Sequence, residues 1–306
     1  MIVSLLVVLL MVFPFIAGGT YYVHVIWLVF FYVILAQSWN ICGGFCGLPS
    51  LGHSAFFGIG AYISALLSLY GLTSMNILTV FAGGIIGGIL AGLLGFGLGL
   101  LCAPLRGPGF CIGTVAFLKI CAFIMLAAEG VTGGANGLLL SQPPLYTKNY
   151  SYLILLGVAL LVNILTYWIN KSKIGLGFAA IRDDEDAAEA TGVNVVLYKG
   201  LSVGMSAIFP AVAGSLYVIE FLYIDPYISF SVAFSLELIV ISSIGGKGSV
   251  FGPIIGAAIL VPVDQLFLIY YPLFHAIFYG FLLILVTRFM PDGIMGYINK
   301  LISRQG

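Results

Sequence analysis

One feature constrains this chain before any other: apolar runs of about 20 residues recur along almost its whole length, separated by short polar breaks. Each run is long enough to cross a bilayer as a helix. A transmembrane β-barrel would instead show alternating segments of about 10 residues. Only 7% of the 306 residues are charged and 61% are apolar, against the roughly 25% charged of soluble domains. The fold class expected is an all-α integral membrane protein of about ten transmembrane or re-entrant helices. Their ranges fall near 1–17, 21–42, 51–70, 76–103, 109–129, 151–170, 197–221, 227–245, 250–269 and 272–289. The polar linkers are too short for an extramembrane domain, so residues 1–306 read as a single transmembrane domain. The first run has no Lys or Arg before it and is expected to be a retained helix rather than a signal peptide.

Zero net charge removes the basic surface that nucleic acid would need. Five cysteines, Cys42, Cys46, Cys102, Cys111 and Cys121, lie in or beside apolar runs. Odd in number and without clustered histidines, they suit neither a disulfide framework nor a zinc site, and read as small packing residues. No G-x-x-x-x-G-K-[ST] sequence is present, so no nucleotide or other cofactor is expected on this chain.

Cation placement sets the orientation. With the linker 171–196 in the cytoplasm, Arg106, Lys171, Lys173, Arg182, Lys199, Lys247, Arg288, Lys300 and Arg304 fall inside or at the inner edge. Lys148 alone falls outside, and Lys119 lies within a span. That bias follows the positive-inside rule and places both termini in the cytoplasm. "RGPG" at 106–109 and "GGKGS" at 245–249 then face inward, and "TGGANG" at 132–137 faces outward.

The inward linker of about 174–198 carries five of the eleven acidic residues. Asp183, Asp184, Glu185 and Asp186 suit the first turn of a short helix, where they complement its dipole. Ala187, Ala188 and Ala190 favour helix, and Gly192 is a left-handed C-cap with Asn194 beyond it. Arg182 and Lys199 flank the segment. A compact helix between two spans is suited to docking on a partner; the alternative is a solvated loop.

"DAAEATG" at 186–192 resembles the EAA loop of ABC importer permeases, with Asp186 in place of the usual glutamate and without the hydrophobic–proline continuation. "GGFCGLPSLGHSAFFGIGAY", "TGGANGL", "AIRDDEDAAEATGVNVVLYK" and "SIGGKGSVFGPIIGAAI" occur in an order that resembles the branched-chain amino-acid permease family of ABC importers. The resemblance runs from about Ser38 to about Leu260, and permeases for urea and short amides share much of it. It implies ABC importer permease architecture and alternating access. It also implies two cytoplasmic ATPase subunits that use ATP and magnesium, a second homologous permease, and an extracytoplasmic solute-binding protein. The chain itself would not be an enzyme. It would sit in a bacterial or archaeal cytoplasmic membrane, in contact with lipid, with the segment around 183–192 as the coupling helix.

Three further groups are candidates. Asn40, Gly43, Gly44, Ser50, Gly52, His53 and Ser54 form a polar, glycine-rich break, either a cytoplasmic hairpin or a broken helix at membrane depth beside the translocation route. His53 alone suits packing better than ligation. Thr132, Gly133, Gly134 and Asn136 form an outer loop or gate, in which Asn136 is placed to cap a short helix. Lys119 and Glu237, near mid-span, are candidates for a buried charge pair or for the route itself. Glu129 and Glu220 lie near outer ends, and Asp264 lies in another span. Two rival functions remain: an ion-coupled secondary transporter with Lys119, Glu237 and Asp264 in a proton relay, and a non-transporting subunit of an energy-converting membrane complex.

Overall fold

The computed structural model describes residues 2–16, 20–70, 77–141 and 148–270, with separate positions between 277 and 297. It is helical almost throughout: α1 (Ile2–Ile16), α2 (Thr20–Trp39), α3 (His53–Tyr70), α4 (Ile77–Leu101), α5 (Pro108–Ala127) and α6 (Glu129–Thr132), then α7 (Lys148–Lys171), α8 (Lys173–Asp183) and α9 (Glu185–Ala190), and last α10 (Val195–Phe221), α11 (Pro226–Ser229), α12 (Val232–Gly245) and α13 (Gly252–Tyr270). Two two-residue strands, β1 (Leu138–Leu139) and β2 (Tyr223–Ile224), pair antiparallel.

Eight helical segments among the described residues are long and apolar enough to cross a membrane. Eight of the ten expected ranges therefore hold. The first range is met by α1, whose apolar part, Val7–Ile16, is shorter and contains Pro14. Most of 272–289 lies outside the described residues. The segment 51–70, expected either to cross or to re-enter, is a helix of 18 residues from His53, about 27 Å long and close to the thickness of the hydrocarbon core.

Three helices make the centre. About three quarters of the α2 and α10 spans is buried (78% each), and 72% of α3, against 22% of α5 at the periphery. Between apolar helices in lipid, association comes from close packing rather than from exclusion of water, and small residues permit it. The α4–α10 seam shows how close. A Cβ placed on Gly99 would stand 2.7 Å from Gly200 Cα and 2.8 Å from the Lys199 carbonyl oxygen. On α3, a Cβ on Gly60 would run into the Ala211 backbone of α10. One end of this core is filled by rings: Phe57 packs on Phe234 at 5.1 Å and on Tyr217 at 5.3 Å between centroids.

Candidate functional site

The polar break after α2 is neither an open loop nor a gap. The helix widens into a π-helical stretch, Asn40–Phe45, and the chain then reverses through Gly47, at φ 73°. Leu48 donates its N–H to Cys42 O at 3.0 Å, and Trp39 Nε1 donates to Ser50 O at 2.9 Å. Buried backbone must find partners within the protein, and the side chains of the break supply them. Asn40 donates to Ser249 O and accepts the Gly248 N–H, both at 2.8 Å, which clamps the 246–249 turn onto α2. Gln37 extends the clamp to Val250 O at 2.8 Å. Gly44 lies against this contact: a Cβ there would stand 2.6 Å from Gly248 N.

Ser50, Gly52, His53 and Ser54 close the same knot toward other helices. His53 is fully buried, with Nδ1 2.9 Å from Ser50 Oγ and Nε2 3.2 Å from Ser206 Oγ on α10. A Cβ on Gly52 would stand 2.5 Å from Thr114 O on α5, and Leu51 N–H donates to Thr114 Oγ1 at 3.1 Å. Ser54 Oγ donates to Ser231 O at 2.8 Å. A Cβ on Gly43 would meet the Trp39 ring. Of the two forms open in the sequence, the structure therefore has a buried reversal continuous with a widened helix end, and its polar side chains bond to the protein.

The acidic linker folds as two helices rather than one. The unexpected α8 starts at Ser172, which accepts the Gly175 N–H, and it packs between α7 and the break. Asp184 caps α9, its Oδ1 accepting the Asp186 and Ala187 N–H groups at 3.0 Å each. Asp184 thus lies before the first turn and not within it. Gly192, at φ 91°, follows the helix as the glycine C-cap reading required, and Asn194 caps α10 by accepting the Leu197 N–H.

Charges bind α9 to the bundle. Arg106, in the turn between α4 and α5, makes two bonds to Asp186, at 2.5 and 3.0 Å, and approaches Glu185 at 3.5 Å. The hydrogen bond and charge of Arg106 hold the Asp186 carboxyl below the usual carboxylate range. The same bond with Asp186, reinforced by Glu185, moves the Arg106 guanidinium further up. Lys199 is wholly buried: its Nζ donates to Glu185 at 2.6 Å and to Ala103 O at 2.8 Å. Arg182 donates to Asp183 and reaches within 3.5 Å of Gly44 O, so the linker and the break share one surface. Ala188 is buried beneath α9, whereas Ala187, Ala190 and Gly192 are exposed.

At the opposite end, Thr132 Oγ1 donates to Ala128 O at 2.9 Å, and Gly133 ends α6 at φ 73°. Gly134 N–H donates back to Thr132 Oγ1. The Asn136 side chain caps nothing. It is exposed, and its carbonyl accepts the Tyr223 hydroxyl at 3.2 Å. The cap in this region is Asp225, which accepts the Tyr227 and Ile228 N–H groups and starts α11.

The structure does not bring Lys119 and Glu237 together. Lys119 is exposed on the outer side of α5, near the exposed Ile112, Ile120 and Phe123. Glu237, on α12, accepts the Tyr32 hydroxyl at 2.8 Å. The buried pair that the chain does form, Lys199–Glu185, lies at the linker. Its signal was two oppositely charged residues at the ends of one short inward segment. The partner Arg106 carried a fainter signal, in a turn assigned to the same side. All five cysteines are free, and no cluster of His, Cys, Asp and Glu suited to a metal occurs among the described residues.

This arrangement can be set beside known proteins. The family model described as "Branched-chain amino acid transport system / permease component" matches residues 21–287. The chain is 30% identical to the high-affinity branched-chain amino acid transport system permease protein LivM of Escherichia coli (strain K12), over 95% of this chain and 73% of that protein. It is 27% identical to the permease protein LivH of Salmonella typhimurium, over 87% of this chain and 91% of that one. Against BraD of Pseudomonas aeruginosa it is 25% identical, over the same shares. No solved structure matches the chain significantly. A bundle of membrane-length helices and a family match over most of its length make this a multi-pass membrane protein and a transport permease rather than an enzyme, and the chain belongs to the family of branched-chain amino acid transport system permease components.

Proposed function

We propose that the chain is the permease subunit of an ATP-driven ABC importer and forms half of a translocation route for branched-chain or similar amino acids. One observation carries this reading: α9 is a short helix fixed to the bundle by Arg106 and Lys199, with Ala187, Ala190 and Gly192 left free on its outer side. A rigid helix with a small, smooth outer face suits a cleft on a cytoplasmic ATPase. Its ion pairs and Arg182 give a push on α9 a path to α10, to the α4–α5 turn and to the break at Gly44. The partners in this reading are two ATPase subunits that use ATP and magnesium, a second homologous permease, and an extracytoplasmic solute-binding protein. The linker end and both termini lie in the cytoplasm of a bacterial or archaeal cell, in keeping with the cation bias. The seven residues of the break act as the rigid link under the route, and the 132–136 loop belongs to the outer gate.

The test is reconstitution. Leucine uptake into proteoliposomes holding all subunits is expected to require ATP and to survive collapse of the proton gradient. Gradient-driven uptake by this chain alone would replace the reading with secondary transport, whose Lys119 relay lacks its first member at the core. Uptake of urea or a short amide in place of leucine would reassign the solute. Ala187→Trp and Ala190→Arg, on the exposed side, are expected to uncouple ATP hydrolysis from uptake while the permease still folds. Coupled transport in both variants would remove α9 from the mechanism.

A further inference from the structure

A cavity of about 420 Å³ opens between α2, α3, α10 and α12, within the size range of small-molecule sites. Phe31, Phe57, Tyr217 and Phe234 form its walls, with Phe31 and Tyr217 at 5.7 Å and Phe31 and Phe57 at 5.8 Å between centroids. Into this aromatic enclosure projects one carboxylate, that of Glu237, with Tyr32 donating to it from the wall. Among the described residues no Lys, Arg or His makes an ion pair with Glu237. A second carboxyl, that of Asp264 on α13, lies near enough to interact with it. A carboxylate held in a span without a cation marks a functional position. Ring faces attract a cation, and a carboxylate accepts charge-assisted hydrogen bonds from an ammonium.

We propose that this cavity binds the primary ammonium of an aliphatic amino-acid solute, with Glu237 as its acceptor and the rings around both the charge and the apolar side chain. The inference rests on the amino-acid permease reading and deepens it. Urea and short amides carry no cation, so the cavity selects against them.

The experiment uses the assembled transporter in nanodiscs without its binding protein, with radiolabelled leucine as the probe. Leucine is displaced by 3-methylbutylamine, which keeps the ammonium, or by 4-methylpentanoate, which keeps only the acid. The amine is expected to compete, and the acid to compete at least roughly tenfold more weakly. Glu237→Gln is expected to weaken leucine binding roughly tenfold or more. Phe234→Leu, which keeps apolar bulk but removes a ring face, is expected to weaken the amine about fivefold and leave the acid unchanged. It serves also if the Gln variant fails to assemble. Equal competition by the acid, or unaltered leucine affinity in both variants, overturns the proposal. Discs of phosphatidylglycerol alone are compared with discs containing phosphatidylethanolamine. Equal leucine affinity is expected, and strong competition by the second lipid would give the cavity to a lipid headgroup. ATP-driven leucine uptake with Glu237-independent binding sinks the ammonium site alone. Glu237-dependent amine binding without such uptake keeps the site and sinks the transport reading.

Discussion

At the linker end of the bundle, Arg106 ties the α4–α5 turn to α9 and Lys199 ties α10 to α9 through side-chain charge, while Arg182 pairs with Asp183 within α8. The opposite end is tied mainly through the backbone. There β1 pairs with β2, Leu140 N–H donates to Leu222 O at 2.8 Å, and Leu222 itself adopts the left-handed conformation at φ 56°. There His24 Nδ1 lies 3.8 Å from the Glu220 carboxyl. Side-chain ion pairs can exchange partners while the helices they join move. A backbone ladder keeps its register or breaks. The two ends therefore differ in how they can yield to a change in helix packing.

Removal of the buried lysine should break the linker end most severely. Lys199→Met leaves Glu185 partly buried and the Ala103 carbonyl without its donor, at an expected cost of about 2–4 kcal/mol. Reversible unfolding of the purified permease measures it, and adding Glu185→Gln should restore part of the loss. A Lys199→Met protein as stable as the parent would mean that charge does not hold this end.

Gly137→Val tests the other end. Gly137 lies at φ 69°, and a Cβ there would run into Ile224 O and stand 2.9 Å from Asp225 Cβ. A β-branched residue should cost about 1–3 kcal/mol and raise amide exchange at Leu140 and Ile224, while exchange in α9 stays unchanged. Faster exchange in α9 would show that the two ends are not independent.

The smallest effect is acidic. Because the hydrogen bond and charge of Arg106 hold the Asp186 carboxyl below the ordinary aspartate value of 3.8, the pair adds stability above that value. The contribution is lost as pH falls through the lower, folded value. Since both side chains are largely exposed, salt screens the gain. Spin labels on α9 and α5 should keep their separation while ordinary surface carboxylates protonate and part only below that range. Separation that begins near pH 5 would refute the assignment.

Much of this was legible in the sequence because hydropathy reports depth. Run lengths gave the spans, and the acid–alanine segment with Gly192 and Asn194 gave the linker helix and its stop. Hydropathy does not report which way a helix is turned. Lys119 and Glu237 were therefore paired by depth alone, although Lys119 points away from the core. Arg106 meets Asp186 across 80 residues of chain, a contact that no local pattern encodes. The break at 40–54 was recognisable as polar and glycine-rich. Its partners, Ser206, Gly248 and Thr114, come from three separate helices or turns, so its buried form could not be read locally.

The α4–α10 seam has a consequence for how such a chain changes over generations. Most close contacts in a protein can drift, since a side chain that grows on one helix is accommodated by one that shrinks on the other. Gly99 offers no such exchange, because it is already the smallest residue available and its neighbours across the seam are backbone atoms, whereas Gly200 faces the Leu100 and Phe96 side chains. A first step to alanine at Gly99 meets backbone rather than a yielding side chain. Variation at Gly99 must therefore shift one helix against the other rather than repack a side chain.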